Sequence, residues 1–372
     1  MQTDCQGDPA PGVPGRSHER VTIREVAHIA RVSLGTVSNV LNNPGIVAPA
    51  TRARVVEAIQ KSGFVRSTAA HQLRVGKSRT VGVLVLDIAN PFFAEMVRGA
   101  ERVLRDQGYV LMVCSSDESG ERERRYLRVL EEHRVDGLMI TPVEPDLKSV
   151  AALARRGVPT VLLDRGAGPL DLCSVTVDDV KGGELAASHL FDLGHDVVAF
   201  VNGPRTIRQC ADRRQGALRA LRKARRNGTR QLREVAVNAL SVELGEEAVA
   251  RLLAARPRPS AVMCANDLLA LGVLRGLVGA GISVPADMAV VGYDDVTFAS
   301  MLSPPLTSVR QPKYELGASA AQLLLEETSD DGGHRHQSLR FEPELVVRAS
   351  SAGVPTSARA PLGRASSRGA PL

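Results

Sequence analysis

The sequence contains no stretch approaching the roughly eighteen consecutive apolar residues of a membrane-spanning helix, so no contact with a bilayer is expected. Its five cysteines, Cys5, Cys114, Cys173, Cys210 and Cys264, are odd in number, widely spaced and without a C-x-x-C pair. Neither a disulfide framework nor a metal site is expected from that spacing, and the thiols read as buried or incidental in a reducing compartment. No G-x-G-x-x-G follows a predicted strand, no G-x-S-x-G occurs, and no motif assembles an acid–histidine pair, so neither an enzyme nor a bound cofactor is expected. The first twenty residues carry Asp4 and Asp8 and lack an apolar core, so they do not read as a secretory signal, and a cytoplasmic protein is expected.

What is present is a folded chain whose positive charge is concentrated in one place. Of 372 residues, 44% are hydrophobic and 24% charged, the balance of a globular protein with room for a small module and a large or bilobal one. Residues 16–79 hold 11 Lys and Arg against Glu19, Glu25 and Glu57, a local balance of +8. Residues 80–349 hold 33 against 36, or −3, so the excess belongs to the small segment and favours a polyanionic partner. Residues 1–19 and 350–372, rich in Pro, Gly, Ser, Ala and Arg without hydrophobic periodicity, read as disordered tails.

Between Val21 and Gly63 the pattern predicts three short helices. Thr22 and Glu25 make a capping box for the first, whose apolar face is Val26, Ala27, Ile29 and Ala30. Ser33 caps the second, and Pro49 opens the third, which buries Val55, Val56 and Ile59 and stops at Gly63. From Thr80 onward, short Val/Leu/Ile runs alternate with longer amphipathic stretches. The runs VGVLVLDI, YVLMVCSS, VDGLMIT, PTVLLD, VVAFVNG, AVMCAND and AVVGYDD read as buried parallel strands, and repeated βα units of this kind imply doubly wound sheets in two lobes. The expected fold is therefore a small all-α domain (20–66) of helix-turn-helix pattern, which on spacing alone could be any structural helical hairpin, then a linker (67–79) and a bilobal α/β domain (80–349). Ligands of such sheets bind at the carboxyl ends of the strands, here between the lobes.

The stretches SLGTVSNVLN, IANPFFAEM, ANDLLALG, VVGYDD and PPLTSVRQP, with VTIREVAHIARVSLGTVSNVLNNP around the first, resemble the lactose-repressor (LacI/GalR) family of transcriptional regulators over nearly all of Val21 to Ser350. The resemblance implies that the second helix enters the major groove, with Leu34, Gly35 and Asn39 reading bases. It implies phosphate contacts from Thr22, Ser33, Thr36, Ser38, Asn42 and Thr51, and a hinge helix whose Leu73 wedges into the minor groove. Two residues depart from the family pattern: Arg31 stands where a turn glycine is usual, and Asn39 where arginine is common.

In the α/β domain, each candidate alone reads as a helix cap, a core aromatic or a turn residue. As a set, Asn90, Phe92, Phe93, Asp164, Arg165, Arg213, Asn266, Asp294 and Gln311 match the sugar-contacting positions of the pentose- and hexose-binding proteins related to the family, most closely the ribose type. Aromatic walls and convergent carboxylates, amides and arginines suit a ring bearing several hydroxyls. The resemblance implies a homodimeric, sequence-specific repressor on a pseudo-palindromic operator, acting in the cytoplasm on the nucleoid. A pentose such as ribose, or a hexose, would release it from genes of sugar uptake or catabolism. The alternatives are a regulator that uses its ligand as corepressor, and a sugar-binding transport or sensor protein, which would lack the basic helical module.

Overall fold

The computed structural model describes residues 21–64, 78–224, 230–329 and 333–352. The chain divides into two units, one ending at Ser78 and the other beginning at Arg79. Leu73, linker residues 67–77 and residues 1–19 and 353–372 of the expected tails lie outside the described residues.

The first unit consists of α1 (Ile23–Ala30), α2 (Leu34–Asn42) and α3 (Pro49–Ser62). Thr22 and Glu25 form both halves of the capping box: Glu25 N donates to Thr22 Oγ1 at 3.4 Å, and Thr22 N donates to the Glu25 carboxylate at 2.5 Å. Arg31 ends α1 in the left-handed region, at φ 52° and ψ 51°, so the turn does require the conformation that favours glycine. Ser33 Oγ accepts from Thr36 N at 3.1 Å and starts α2. The small core is Val26, Ala27, Ala30, Val37, Val40, Val55 and Ala58. Two expected core residues are outside it: Ile29 is 49% and Val56 41% exposed. At about 100° per residue, both fall off the stripes shared by Val26 and Ala30 and by Val55 and Ala58.

The second unit contains two six-stranded sheets. The first has the order β11-β5-β4-β3-β1-β2, from β1 (Thr80–Val85), β2 (Val110–Ser115), β3 (Gly137–Ile140), β4 (Thr160–Leu163), β5 (Cys173–Val177) and β11 (Ser338–Phe341). The second has the order β12-β10-β9-β8-β6-β7, from β6 (Val197–Asn202), β7 (Gln231–Ala236), β8 (Ala261–Cys264), β9 (Ala289–Asp294), β10 (Thr307–Arg310) and β12 (Glu344–Val346). All neighbours are parallel except β10 and β12. Helices α4 (Pro91–Asp106), α5 (Gly120–Glu132), α6 (Lys148–Arg155), α7 (Asp179–Asp192), α8 (Arg208–Ala224), α9 (Val242–Ala254), α10 (Asp267–Gly279) and α11 (Lys313–Ser329) connect them. Among the described residues, no helix is long and apolar enough to cross a membrane.

The chain passes between the sheets after β5, after β10 and after β11, because α11 returns to pack on α4 and on β3, β4 and β5. The central strands are buried along their length, as parallel strands covered on both faces must be, whereas edge strands β2 and β7 are half-exposed. Ser350 and Ser351, expected at the start of a tail, are buried instead. Ser350 Oγ donates to Val290 O at 2.6 Å and accepts from Thr307 N at 2.8 Å, satisfying backbone groups beside β9 and β10.

Candidate DNA interface and ligand cleft

Helix α2 has two chemically distinct faces. Val37 and Val40 point into the core, while Leu34, Gly35 and Asn39 are exposed and Thr36, Ser38 and Asn42 partly so. Residues 35, 39 and 42, with 34 and 38, recur at helical spacing, so one continuous face carries them. Ser33 and Thr36 hydroxyls are 2.9 Å apart, and Asn42 Nδ2 donates to Ser38 O at 2.6 Å. These polar groups are therefore held in place by the helix itself. Thr22 and Thr51 sit at the starts of α1 and α3, where free backbone N–H groups favour an anion.

In the second unit, the carboxyl ends of strands from both sheets meet around a cavity of about 30 Å³. That is room for roughly one water, so the lobes must part to admit anything larger. Asn90 caps α4 after β1, accepting from Phe92 N at 3.0 Å, and its amide donates to Asp294 Oδ2 at 3.5 Å across the lobes. Phe92 and Phe93 pack edge to face with centroids 5.0 Å apart. Asn266 caps α10 after β8, accepting from Leu269 N at 2.9 Å. Gln311, after β10, donates to Asp294 Oδ1 at 2.7 Å. Seven of the nine expected residues (Asn90, Phe92, Phe93, Asp164, Arg213, Asn266 and Asp294) line the cavity, and Gln311 stands directly behind Asp294.

Arg165 is not brought into this cluster. Its guanidinium donates to Glu144 O at 2.6 Å and to Pro145 O, and lines a separate, open cavity with Arg208 and Arg340. Leu86, Asp87, Glu118, Ile207, Gln209 and Leu240 also line the cleft and were not among the expected residues. Gln209 lies one helical turn before Arg213 and donates to Asp164 Oδ2 at 2.8 Å, so helical spacing from Arg213 points to it. Glu118, in the loop after β2, accepts from Leu240 N at 3.4 Å and thereby joins the two lobes. Leu240 supplies part of the apolar wall.

The electrostatics of the cleft are dominated by buried carboxylates. Arg213 is 4% exposed: its Nε donates to Asp179 Oδ1 at 2.7 Å, its Nη1 to Ala265 O at 2.5 Å, and it lies 3.7 Å from the Tyr293 ring centroid. Burial opposes its charge, but Asp179, Asp294 and Asp164 outweigh burial and hold it firmly protonated. Burial pushes the Asp164 carboxyl well above the ordinary range, and the Asp179 charge adds to this. Burial raises Asp294 to about 6 and Glu118 to about 7. Asp164 Oδ1, Glu118 Oε2 and Gln311 Oε1 are buried with no hydrogen-bond partner among the described residues. Glu118, Asp164 and Asp294 also hold positive φ values of 57°, 53° and 103°, a backbone strain that persists where the surroundings enforce it and that gathers at binding sites.

Comparison with known proteins joins these two sites in one kind of molecule. Residues 22–67 match the family described as bacterial regulatory proteins, lacI family, and residues 187–351 match a periplasmic binding protein-like domain. The chain is 34% identical over 330 residues to a protein of Aliivibrio salmonicida (strain LFI1238) named HTH-type transcriptional repressor PurR, covering 88% of this chain and 98% of that one. A LacI family transcriptional regulator from Enterococcus faecium, solved with bound ribose, is 32% identical with a TM-score of 0.67, covering 74% of this chain and 99% of that one. The lac repressor dimer bound to operator and the anti-inducer ONPF is 27% identical with a TM-score of 0.75, covering 90% and 99%.

Proposed function

The chain belongs to the LacI family of bacterial regulatory proteins, and from that premise we propose that it is a sugar-responsive repressor that leaves its operator when a neutral pentose or hexose fills the cleft. It is a DNA-binding transcriptional repressor controlled by a small-molecule effector, acts as a dimer on operator DNA, and is not an enzyme. Its place of work is the cytoplasm, on the nucleoid.

The observation that carries the sugar reading is the cleft's surplus of carboxyl acceptors. Arg213 is already paired with Asp179 and lies 3.9 Å from Asp294, so a phosphorylated or acidic ligand would find its countercharge taken, while the raised carboxyls of Asp164, Asp294 and Glu118 can offer neutral O–H groups as well as acceptor oxygens. A polyol supplies O–H donors to the acceptors left without partners and a weakly apolar ring face to Phe92 and Phe93. The solved relative holding ribose supports the same ligand class. Arg165 would reach a ligand only after leaving Glu144 and Pro145.

On the DNA side, Leu34, Gly35 and Asn39 read base edges while Thr22, Ser33, Thr36, Ser38, Asn42 and Thr51 fix the register on phosphates, once in each half of a pseudo-palindrome. Leu73 would wedge the minor groove at the centre. Closing the lobes on sugar weakens the grip on DNA, and reciprocity requires operator DNA to weaken sugar binding by the same factor. The test is a thermal-shift screen of pentoses, hexoses, their phosphates and purines. Stabilisation by a neutral sugar is the expected result. Stabilisation by purines or sugar phosphates alone would overturn the ligand class.

A further inference from the structure

We propose that Cys173, Glu327, His334 and His336 form a tetrahedral site for one zinc-class divalent transition-metal ion, on the first lobe at the end of its sheet away from the ligand cleft. Cys173 opens β5, and β11 runs parallel beside it with Ser338 opposite Ser174. The residues just before β11 therefore lie next to Cys173, and both His334 and His336 reach it from that segment. Glu327 reaches the same point from the last turn of α11.

The four ligand atoms all lie within 4.8 Å of one another. Cys173 Sγ is 3.2 Å from His334 Nε2 and 3.7 Å from His336 Nδ1. In a tetrahedral zinc site, with Zn–S of about 2.3 Å and Zn–N of about 2.05 Å, sulfur and nitrogen stand about 3.5 Å apart. The two observed distances bracket that value. Glu327 Oε2 is buried and has no hydrogen-bond partner among the described residues, which leaves an acceptor free to ligate.

The surroundings are those of a ligand set held in place. His336 Nε2 lies 4.0 Å from the exposed carboxylate of Asp171, beyond hydrogen-bond distance. Gln337 N donates toward Cys173 Sγ at 3.4 Å, which fixes the direction of the side chain. Cys173 is fully buried, whereas the His336 side chain is 21% exposed and leaves a way in for an ion. One sulfur, two imidazoles and one carboxylate select zinc, cobalt or their neighbours over magnesium and calcium, which prefer oxygen alone. No local spacing in the sequence marks this site. Cys173 and His334 are 161 residues apart, and only the pairing of β5 with β11 joins them.

Cobalt(II) added to metal-free, full-length protein is the test. The expected result is one equivalent bound per chain, with a sulfur-to-cobalt charge-transfer band and the strong visible bands of four-coordinate cobalt, all erased by one equivalent of zinc. Cys173→Ser should abolish the charge-transfer band while Cys114→Ser keeps it, and His334→Gln and His336→Gln should each weaken binding roughly tenfold or more. Should Cys173→Ser fail to fold, zinc must still raise the melting temperature of the wild type and not that of the double histidine variant. No charge-transfer band in the wild type, its survival in a folded Cys173→Ser, or equal zinc stabilisation of wild type and double histidine variant would overturn the proposal.

Discussion

At the scale of single residues, Arg213, proposed as a ligand contact, is also a structural one. From the sequence it reads as a sugar-holding arginine among solvated ones, and its burial and its bond to Asp179 are not visible there. Arg213→Ala would leave Asp179, 6% exposed, as an unpaired buried charge, so it should cost roughly 3–5 kcal/mol of stability as well as ligand affinity. Urea unfolding checks this, with partly exposed Arg214→Ala as control; equal stability of the two variants would contradict it. Glu118 gives a pH prediction. Its carboxyl is raised from 4.5 to about 7 with the lobes together, so that state binds more protons, and stability falls as pH rises between those values and then levels off. In Glu118→Gln this loss should be absent, so its melting temperature should gain on the wild type from about pH 5 to about pH 8. A constant difference across that range would remove Glu118 from the lobe contact.

At the scale of elements, three helix pairs in the second unit cross at facing glycines: Gly99 with Gly317 in α4 and α11, Gly183 with Gly216 in α7 and α8, and Gly245 with Gly272 in α9 and α10. A Cβ on Gly317 would fall 1.8 Å from Met96 O, and one on Gly99 2.0 Å from Tyr314 O. The obstacle is backbone, so Gly317→Ala must push the helices apart and should cost on the order of 2–4 kcal/mol, measurable as a lower denaturant midpoint; a neutral effect would mean the crossing is not close. The opposite sign is expected at Arg31. Arg31→Gly relieves the left-handed cap of α1 and should gain roughly 0.5–1 kcal/mol in the melting of the first unit. The apolar runs of β1, β3, β4, β6, β8 and β9 are legible because both faces of each strand are covered. β7, with Arg233 and Glu234 on an edge, and the short, partly exposed β11 and β12 carry no such signature because solvent relaxes the requirement for apolar residues, whereas the short β10 is buried but carries Thr307 and Ser308, whose hydroxyls are hydrogen-bonded to Arg348 O and Asp267.

At the scale of the whole molecule, the division of labour follows the charge along the chain, with the basic segment 16–79 ahead of the slightly acidic stretch 80–349. Most of the cleft was legible because strand ends converge by topology: Asp294 ends β9, and Asn90, Asp164, Asn266 and Gln311 each follow a strand closely. Arg165 follows one too but turns away, since side-chain direction beyond a strand end depends on local carbonyls that no spacing rule encodes. Asn39, exposed on α2, should select adenine, and Asn39→Arg should shift the preferred base toward guanine by roughly 1–3 kcal/mol; an unchanged binding-site logo from random-sequence selection would contradict it. The central claim is that a sugar in the cleft governs the hold on DNA. The most direct measurement is operator affinity of the full-length protein, by fluorescence anisotropy at fixed salt, with and without a sugar that raises its melting temperature. The account predicts that the sugar weakens operator binding by about tenfold or more. A sugar that stabilises the protein and leaves operator affinity unchanged would contradict it.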